Sequence, residues 1–221
     1  MVEACTLLGV DVMTGHWEFT YQDQQVLENI QAFNGDFVAH NVRLNDEAVF
    51  MGAEAFDEDT GHVFRPYTMR ELAGHRVAVI GQAFPYTPIA NPARFIPDWT
   101  FGIRAAELQQ LVEEVRDNER PAAIVLLSHN GMDVDLKLAS VVTGIDAILG
   151  GHTHDGMPRA VEVATTSGKT IVTNAGSNGK FLGVLDLDLG VSGVKGYRYR
   201  LLPVFSRLLS PDPDMQTLIE R

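Results

Sequence analysis

AAIVLLSHNGMDVDLKLA, Ala122 to Ala139, carries the reading from which the fold follows. The run Ala122–Leu127 is wholly apolar and too short for a helix. It reads as a strand buried on both faces. Ser128-His129-Asn130-Gly131 breaks the run, and Asp133 to Val142 then shows helical spacing. Strand, turn, helix is the repeating unit of an α/β sheet, and in such sheets ligand sites form just beyond the carboxyl ends of the strands. His129 stands at such an end. The pattern recurs in GIDAILGGHTHDG, Gly144 to Gly156, where a short strand over Ala147–Leu149 runs into two glycines, then His152 and His154. It recurs again in VDVMTGHWEF, where a strand over Val10–Thr14 is followed by His16 and Trp17.

Four histidines after three apolar strands point to a shared metal site built from His16, His129, His152 and His154, because neutral imidazole is the commonest metal ligand. The double glycine lets the backbone turn sharply beside a ligand. His152 and His154, two apart, can reach neighbouring ions if the segment is not regular strand. Imidazole suits several transition metals, and added carboxylates widen the set to manganese. Asn130 and Asp155 are candidates by adjacency to orient the rings, and turn formation explains both equally well. His62 and His75 read as solvated or hydrogen-bonded loop residues, and His40 as a core or structural residue.

The remaining chain alternates helix and strand signals. A helix is expected over Gln24–Phe33, strands over Asp36–Val42 and Arg76–Ile80, and a polar loop from Arg43 to Pro66. Pro85, Pro88, Pro92 and Pro97 mark the irregular stretch Phe84–Asp98. Thr100 is a plausible cap for a helix running to Asp117. From Ala160 the chain turns β-rich, through TIVTNAG, FLGVLDLDL and GYRYRLLPVF, before a capped helix after Pro211. The result is an α/β domain with a mixed sheet or two sheets.

Bulk properties narrow the classes. A net charge of -12 excludes a nucleic-acid binder. It leaves an anionic substrate open, since a bound cation reverses the local field. Cys5 is the only cysteine, so no internal disulfide forms. No apolar run approaches the ~18 residues of a membrane span. The N-terminus has neither a basic leader nor a cleavage site. It reads as the end of a helix entering a strand, so the chain is expected to be an internal piece of something longer.

Taken in order, GHWEFTY, LENI, HNV, LLSHNGMDVDLKLA, GIDAILGGHTHDG and TNAGSNGKFLGVLDLDL resemble the calcineurin-like metallophosphoesterase superfamily, in its 5′-nucleotidase branch. The likeness runs from about residue 5 to residue 205. Within the branch, GHWEF in place of GNHEF is similar to the thiosulfohydrolases of the bacterial Sox thiosulfate-oxidising system. The resemblance implies an α-β-β-α sandwich of two mixed sheets flanked by helices, here truncated at the N-terminus. Residues 1–205 would be the catalytic domain. Residues 206–221 would open a linker helix to a C-terminal substrate-binding domain.

It further implies two divalent metal ions, manganese in this subfamily. His16 falls at the family's asparagine ligand, His129 and His152 at histidine ligands of the same ion, and His154 at a ligand of the first ion. The family's Asp-x-His and bridging Gly-Asp motifs do not precede His16, so the 221 residues alone are expected to hold no stable metal pair, to turn over little, and to leave a sheet edge unpaired.

Nucleotidases pair a histidine with an aspartate to assist the leaving group; Trp17 and Thr20 occupy those two positions. Both are replaced together, which suggests a changed reaction with Trp17 walling the pocket. Asn130 and Asn178 are candidate substrate contacts. Backbone N–H groups of the 174–183 loop could approach a bound anion, although a tight turn explains them equally well; Lys180 could assist an anionic substrate, although a solvated lysine is the better reading. The implied activity is release of sulfate from a cysteine S-thiosulfonate on a sulfur-carrier protein, in the periplasm. A 5′-nucleotidase or other phosphate-ester hydrolase, and a non-catalytic metal-binding module, are the alternatives.

Overall fold

A computed structural model describes residues 1–166, 168–190 and 193–221. Along the chain come α1 (Val2–Leu8), β1 (Val12–Met13), a 3-10 turn (Trp17–Tyr21), α2 (Asp23–Ala32), β2 (Asp36–Phe37), β3 (Arg43–Leu44), α3 (Asp46–Met51), β4 (Tyr67–Leu72) and β5 (His75–Gln82). Then follow α4 (Thr87–Ala90), a second 3-10 turn (Ala93–Phe95), β6 (Trp99–Thr100), α5 (Ala105–Glu119), β7 (Ala123–Ser128), α6 (Met132–Val141), β8 (Ala147–Gly150), β9 (Val161–Thr165), β10 (Gly168–Asn174), β11 (Phe181–Gly190), β12 (Gly193–Pro203) and α7 (Pro213–Ile219).

Six strands form the main sheet in the order β4-β5-β7-β8-β10-β9. The inner four are parallel, and the two edge strands run antiparallel to them. Parallel strands need both faces covered, and alternation along each strand supplies this. Ala78, Ile80, Ile124, Leu126, Ile148 and Val172 face α5 and α6, while their neighbours Val77, Ala123, Val125, Ala147 and Ile171 face Leu185, Leu187 and Leu189 of the β11–β12 hairpin. The hairpin is the second sheet of the sandwich. Among the described residues β11 pairs with β12 alone, and between β11 and the main sheet lies an open, largely apolar cleft of about 1060 Å³.

A second core lies beside the sheet and is built mainly from aromatic rings. Phe19, Phe37, Phe64 and Trp99 pack edge to face around Val26, Val42 and Val63, with Phe64 and Trp99 centroids 5.1 Å apart. Offset or edge-on geometry suits the ring quadrupoles. This core carries β1 and the turn that follows it. Where it meets the sheet, Gly81 crosses the 38–40 segment so closely that a Cβ would sit 1.9 Å from the Val38 carbonyl oxygen; His40 N donates to Gly81 O at 2.9 Å.

Several expectations need correction. The helix expected from Thr100 starts at Ala105: Thr100 belongs to β6, where its hydroxyl donates to Arg43 O, and Arg104 precedes the helix with a left-handed backbone (φ 50). The strand expected over Asp36–Val42 is regular only at Asp36–Phe37, because the chain leaves β1 to cross Gly81. The 43–66 loop contains α3, capped by Asn45 Oδ1 accepting from Ala48 N at 2.8 Å. Of the two histidines expected in loops, His62 is buried and hydrogen-bonded, with Nδ1 2.6 Å from Thr60 Oγ1, whereas His75 opens strand β5.

Candidate metal centre

The four parallel strands end in step. Gln82 pairs with Ser128, and Gly150 with Asn174. The turns beyond these ends carry His129 and His152, and β1 delivers His16 from the aromatic core. Within this site one nitrogen from each of His16, His129 and His152 lies within 4.8 Å of the others, and no other group of three or more such ligands occurs among the described residues. His16 Nδ1 stands 3.1 Å from His129 Nε2. Nitrogens bound about 2.1 Å from one ion stand no more than about 4.2 Å apart, so a small inward turn of one ring completes the match to a cation.

The local backbone is shaped for this. His152 and His154 both adopt left-handed conformations (φ 72 and φ 61), which side-chain-bearing residues rarely do and which cluster at functional sites. That geometry turns the two side chains apart: His152 joins the trio, whereas His154 is exposed, close enough to His129 and His152 to depress their basicity. The two turns interlock. A Cβ on Gly151 would lie 3.0 Å from His129 Nδ1, one on Gly131 2.8 Å from Thr153 Cγ2, and Met132 N donates to Thr153 Oγ1 at 3.1 Å. Thr153 in turn donates to Asp155 Oδ2, which keeps that carboxylate in the turn.

Burial keeps the rings neutral. Desolvation, then His152, lowers His16 to about 4. Desolvation, then His16, lowers His129 to about 4. His152 is lowered by the same burial and by His154. At neutral pH the trio therefore offers lone pairs. Aromatic rings close the sides. Phe84 stacks on His152 at 4.1 Å and meets His16 at 4.3 Å, and Trp17 lies 4.9 Å from His16 while remaining 67% exposed. Glu18, the nearest acid in sequence, is used locally, accepting from His16 N at 2.7 Å. Thr20 Oγ1 donates to Trp17 O at 2.6 Å and closes the turn.

Asn130 does not face the site. It is buried, and its amide donates to Asp135 and accepts from Gln82. Asn178 lies exposed in the 175–180 turn with φ 56. Sequence reasoning missed Phe84, which a proline-rich stretch concealed, and the buried pair Gln82 and Asp135. Burial raises the Asp135 carboxyl to about 6.

The fold recurs in solved structures. A sulfate thiohydrolase SoxB from Thermus thermophilus superposes with a TM-score of 0.87 at 34% identity, covering 99% of this chain and 37% of that one. The chain carries the fold of calcineurin-like phosphoesterase and 5′-nucleotidase domains. A 5′-nucleotidase precursor from Thermus thermophilus shares this fold, with a TM-score of 0.81 at 23% identity over 99% of the chain and 44% of its own. In sequence, the trifunctional nucleotide phosphoesterase YfkN of Bacillus subtilis is 35% identical over 130 residues, 58% of this chain and 9% of YfkN. No protein-family profile matches. The chain thus spans less than half the length of these relatives. Calcineurin-like enzymes are metal-dependent, and the neutral imidazole trio fits a divalent cation. Among the described residues no helix is long and apolar enough to cross a membrane.

Proposed function

We propose that this chain is the histidine-bearing part of a metal-dependent hydrolase that releases sulfate from a cysteine-linked thiosulfonate. The observation that carries the reading is the pairing of three converging, neutral imidazoles with Trp17 and Thr20 where nucleotidases place an acid–base pair. Thr20 is tied to the Trp17 carbonyl, and Glu18 to the His16 amide, so neither offers a proton to a leaving group.

The chemistry accounts for the loss. Cys–S–S–SO₃⁻ plus water gives Cys–S–S⁻, sulfate and two protons: the bond between the terminal sulfur and the outer sulfur of the persulfide breaks, and its electron pair leaves on that outer sulfur. A cysteine thiol ionises near pH ~8.5, far below the ~15.7 of water, so a sulfur anion departs without an acid where an alkoxide needs one. His16, His129 and His152 would hold a divalent cation, and His154 a second one; such ions would supply Lewis acidity toward water and the oxygens of the sulfonate. Manganese is the metal the resemblance suggests. Phe84 and Trp17 keep bulk water from the rings, and Trp17 offers an exposed apolar face to a substrate arm. A sulfur-carrier protein is the partner this substrate requires, and the periplasm is the compartment we assign.

Sulfate release from a carrier peptide bearing the S-thiosulfonate, measured beside phosphate release from 5′-AMP with manganese present, tests the proposal. Sulfate should form faster. Faster phosphate release would restore the nucleotidase reading, which the names of several relatives favour. Metal binding with neither product from the complete enzyme would leave a binding module.

A further inference from the structure

Asp135 lies in the first turn of α6, fully buried, and bridges the two turns that carry His129 and His152. Its Oδ1 accepts from Ser128 Oγ at 2.6 Å and from Asn130 Nδ2 at 3.1 Å, the residues on either side of His129. Its Oδ2 fills the space where Gly150 lacks a side chain: a Cβ there would lie 2.6 Å away. Gly150 is two residues before His152. The Asn130 amide is pinned from its other end by Gln82 Nε2 at 3.0 Å, and His129 N itself donates to Gln82 O at 2.9 Å. A buried carboxyl is costly unless it is held by donors, and such networks rigidify what they touch.

We infer that Asp135 is a positioning residue that, by gripping both neighbours of His129 and abutting Gly150, fixes the spacing of the His129 and His152 rings and hence the affinity of the site for a divalent cation. This rests on the reading of His16, His129 and His152 as ligands. Groups behind metal ligands typically govern affinity by 10–100-fold without touching the ion.

The test uses the whole chain with cobalt(II), whose visible absorption reports coordination geometry. Calorimetric titration of the wild type, His152→Ala, Asp135→Ala, Asp135→Asn and Ser128→Ala gives the affinities, and circular dichroism confirms folding. Asp135→Ala should bind about 10–100-fold more weakly with a shifted absorption band. Asp135→Asn, which keeps an Oδ1 acceptor, should stay within about threefold of wild type, and Ser128→Ala should fall between them. If Asp135→Ala does not fold, Ser128→Ala decides. Folded variants that bind like wild type overturn the inference while leaving the ligand reading intact. An Asp135→Asn as weak as Asp135→Ala also overturns it, since charge rather than acceptor geometry would then be responsible. A wild type that binds no cobalt, or a His152→Ala that binds unchanged, overturns the ligand reading and this inference with it.

Discussion

Lowering the pH should destabilise the fold through a histidine that lies outside the metal centre. His40 is fully buried; Nε2–H donates to Gln82 Oε1, while Nδ1 has no partner among the described residues. It is lowered to about 3, chiefly by burial, with the Gln82 bond opposing this and the neighbouring His62, Arg43 and Arg104 adding to it. The unfolded chain takes up a proton near 6.5, whereas the folded chain does so only near 3, so between these values the unfolded state binds more protons. Stability is then complete above the unfolded pKa and falls as the pH drops. At pH 5, about 1.5 units below the unfolded value, the loss is about 2 kcal/mol. Asp135 acts in the opposite sense. Its folded pKa, raised from 3.8 to about 6, adds stability below that range that is lost as the pH rises through 6. His40→Gln, compared with wild type in urea titrations with chelator at pH 7 and pH 5, cancels Asp135 and the site histidines, which both proteins share. Wild type should lose about 2 kcal/mol more than His40→Gln between the two conditions. Parallel losses would refute the assignment of a neutral, buried His40.

A Gly81→Ala variant should lose about 4 kcal/mol or more and express poorly, because its Cβ meets the rigid Val38 carbonyl at 1.9 Å; soluble yield and thermal melting check this. Phe84→Ala should cost about 3 kcal/mol in chemical denaturation, since the ring is 92% buried against two imidazoles, and should also weaken cobalt binding. Divalent cation at a hundredfold excess over its Kd should stabilise the fold by about 2.7 kcal/mol in a thermal-shift assay, and His16→Ala should abolish the gain. Trp17→Ala should change stability by less than about 0.5 kcal/mol while raising KM for the thiosulfonate substrate, as fits a ring 67% exposed.

The central sheet was legible because parallel strands write themselves as unbroken apolar runs. Ala122–Leu127 and Ala147–Leu149 appear in the structure within a residue of their expected ends. Edge strand β4 was not legible: YTMREL has only a weak alternation and carries two charges, since one face meets solvent. The histidines were found by position after strands, but position does not give direction. Asn130 is next to a ligand in sequence and points inward, and the divergence of His152 from His154 depends on left-handed backbones that no residue type announces. Asp135 did leave a trace. It stands three, four and seven residues before Leu138, Ala139 and Val142, an acid on the apolar stripe of a helix, where a polar group is present for a partner rather than for water.

The imidazoles that meet at the candidate centre are carried by two separately packed interiors: His16 lies between Met13 and Phe19, which pack in the aromatic cluster, and His129 and His152 follow strands of the main sheet. An ion among them would therefore work as a rivet across a seam. Stripped of it, the chain should part first along that line, with hydrogen exchange quickening around residues 15–22 before the central strands respond. The same atoms that hold a reagent in place would then also clasp the two halves of the molecule together.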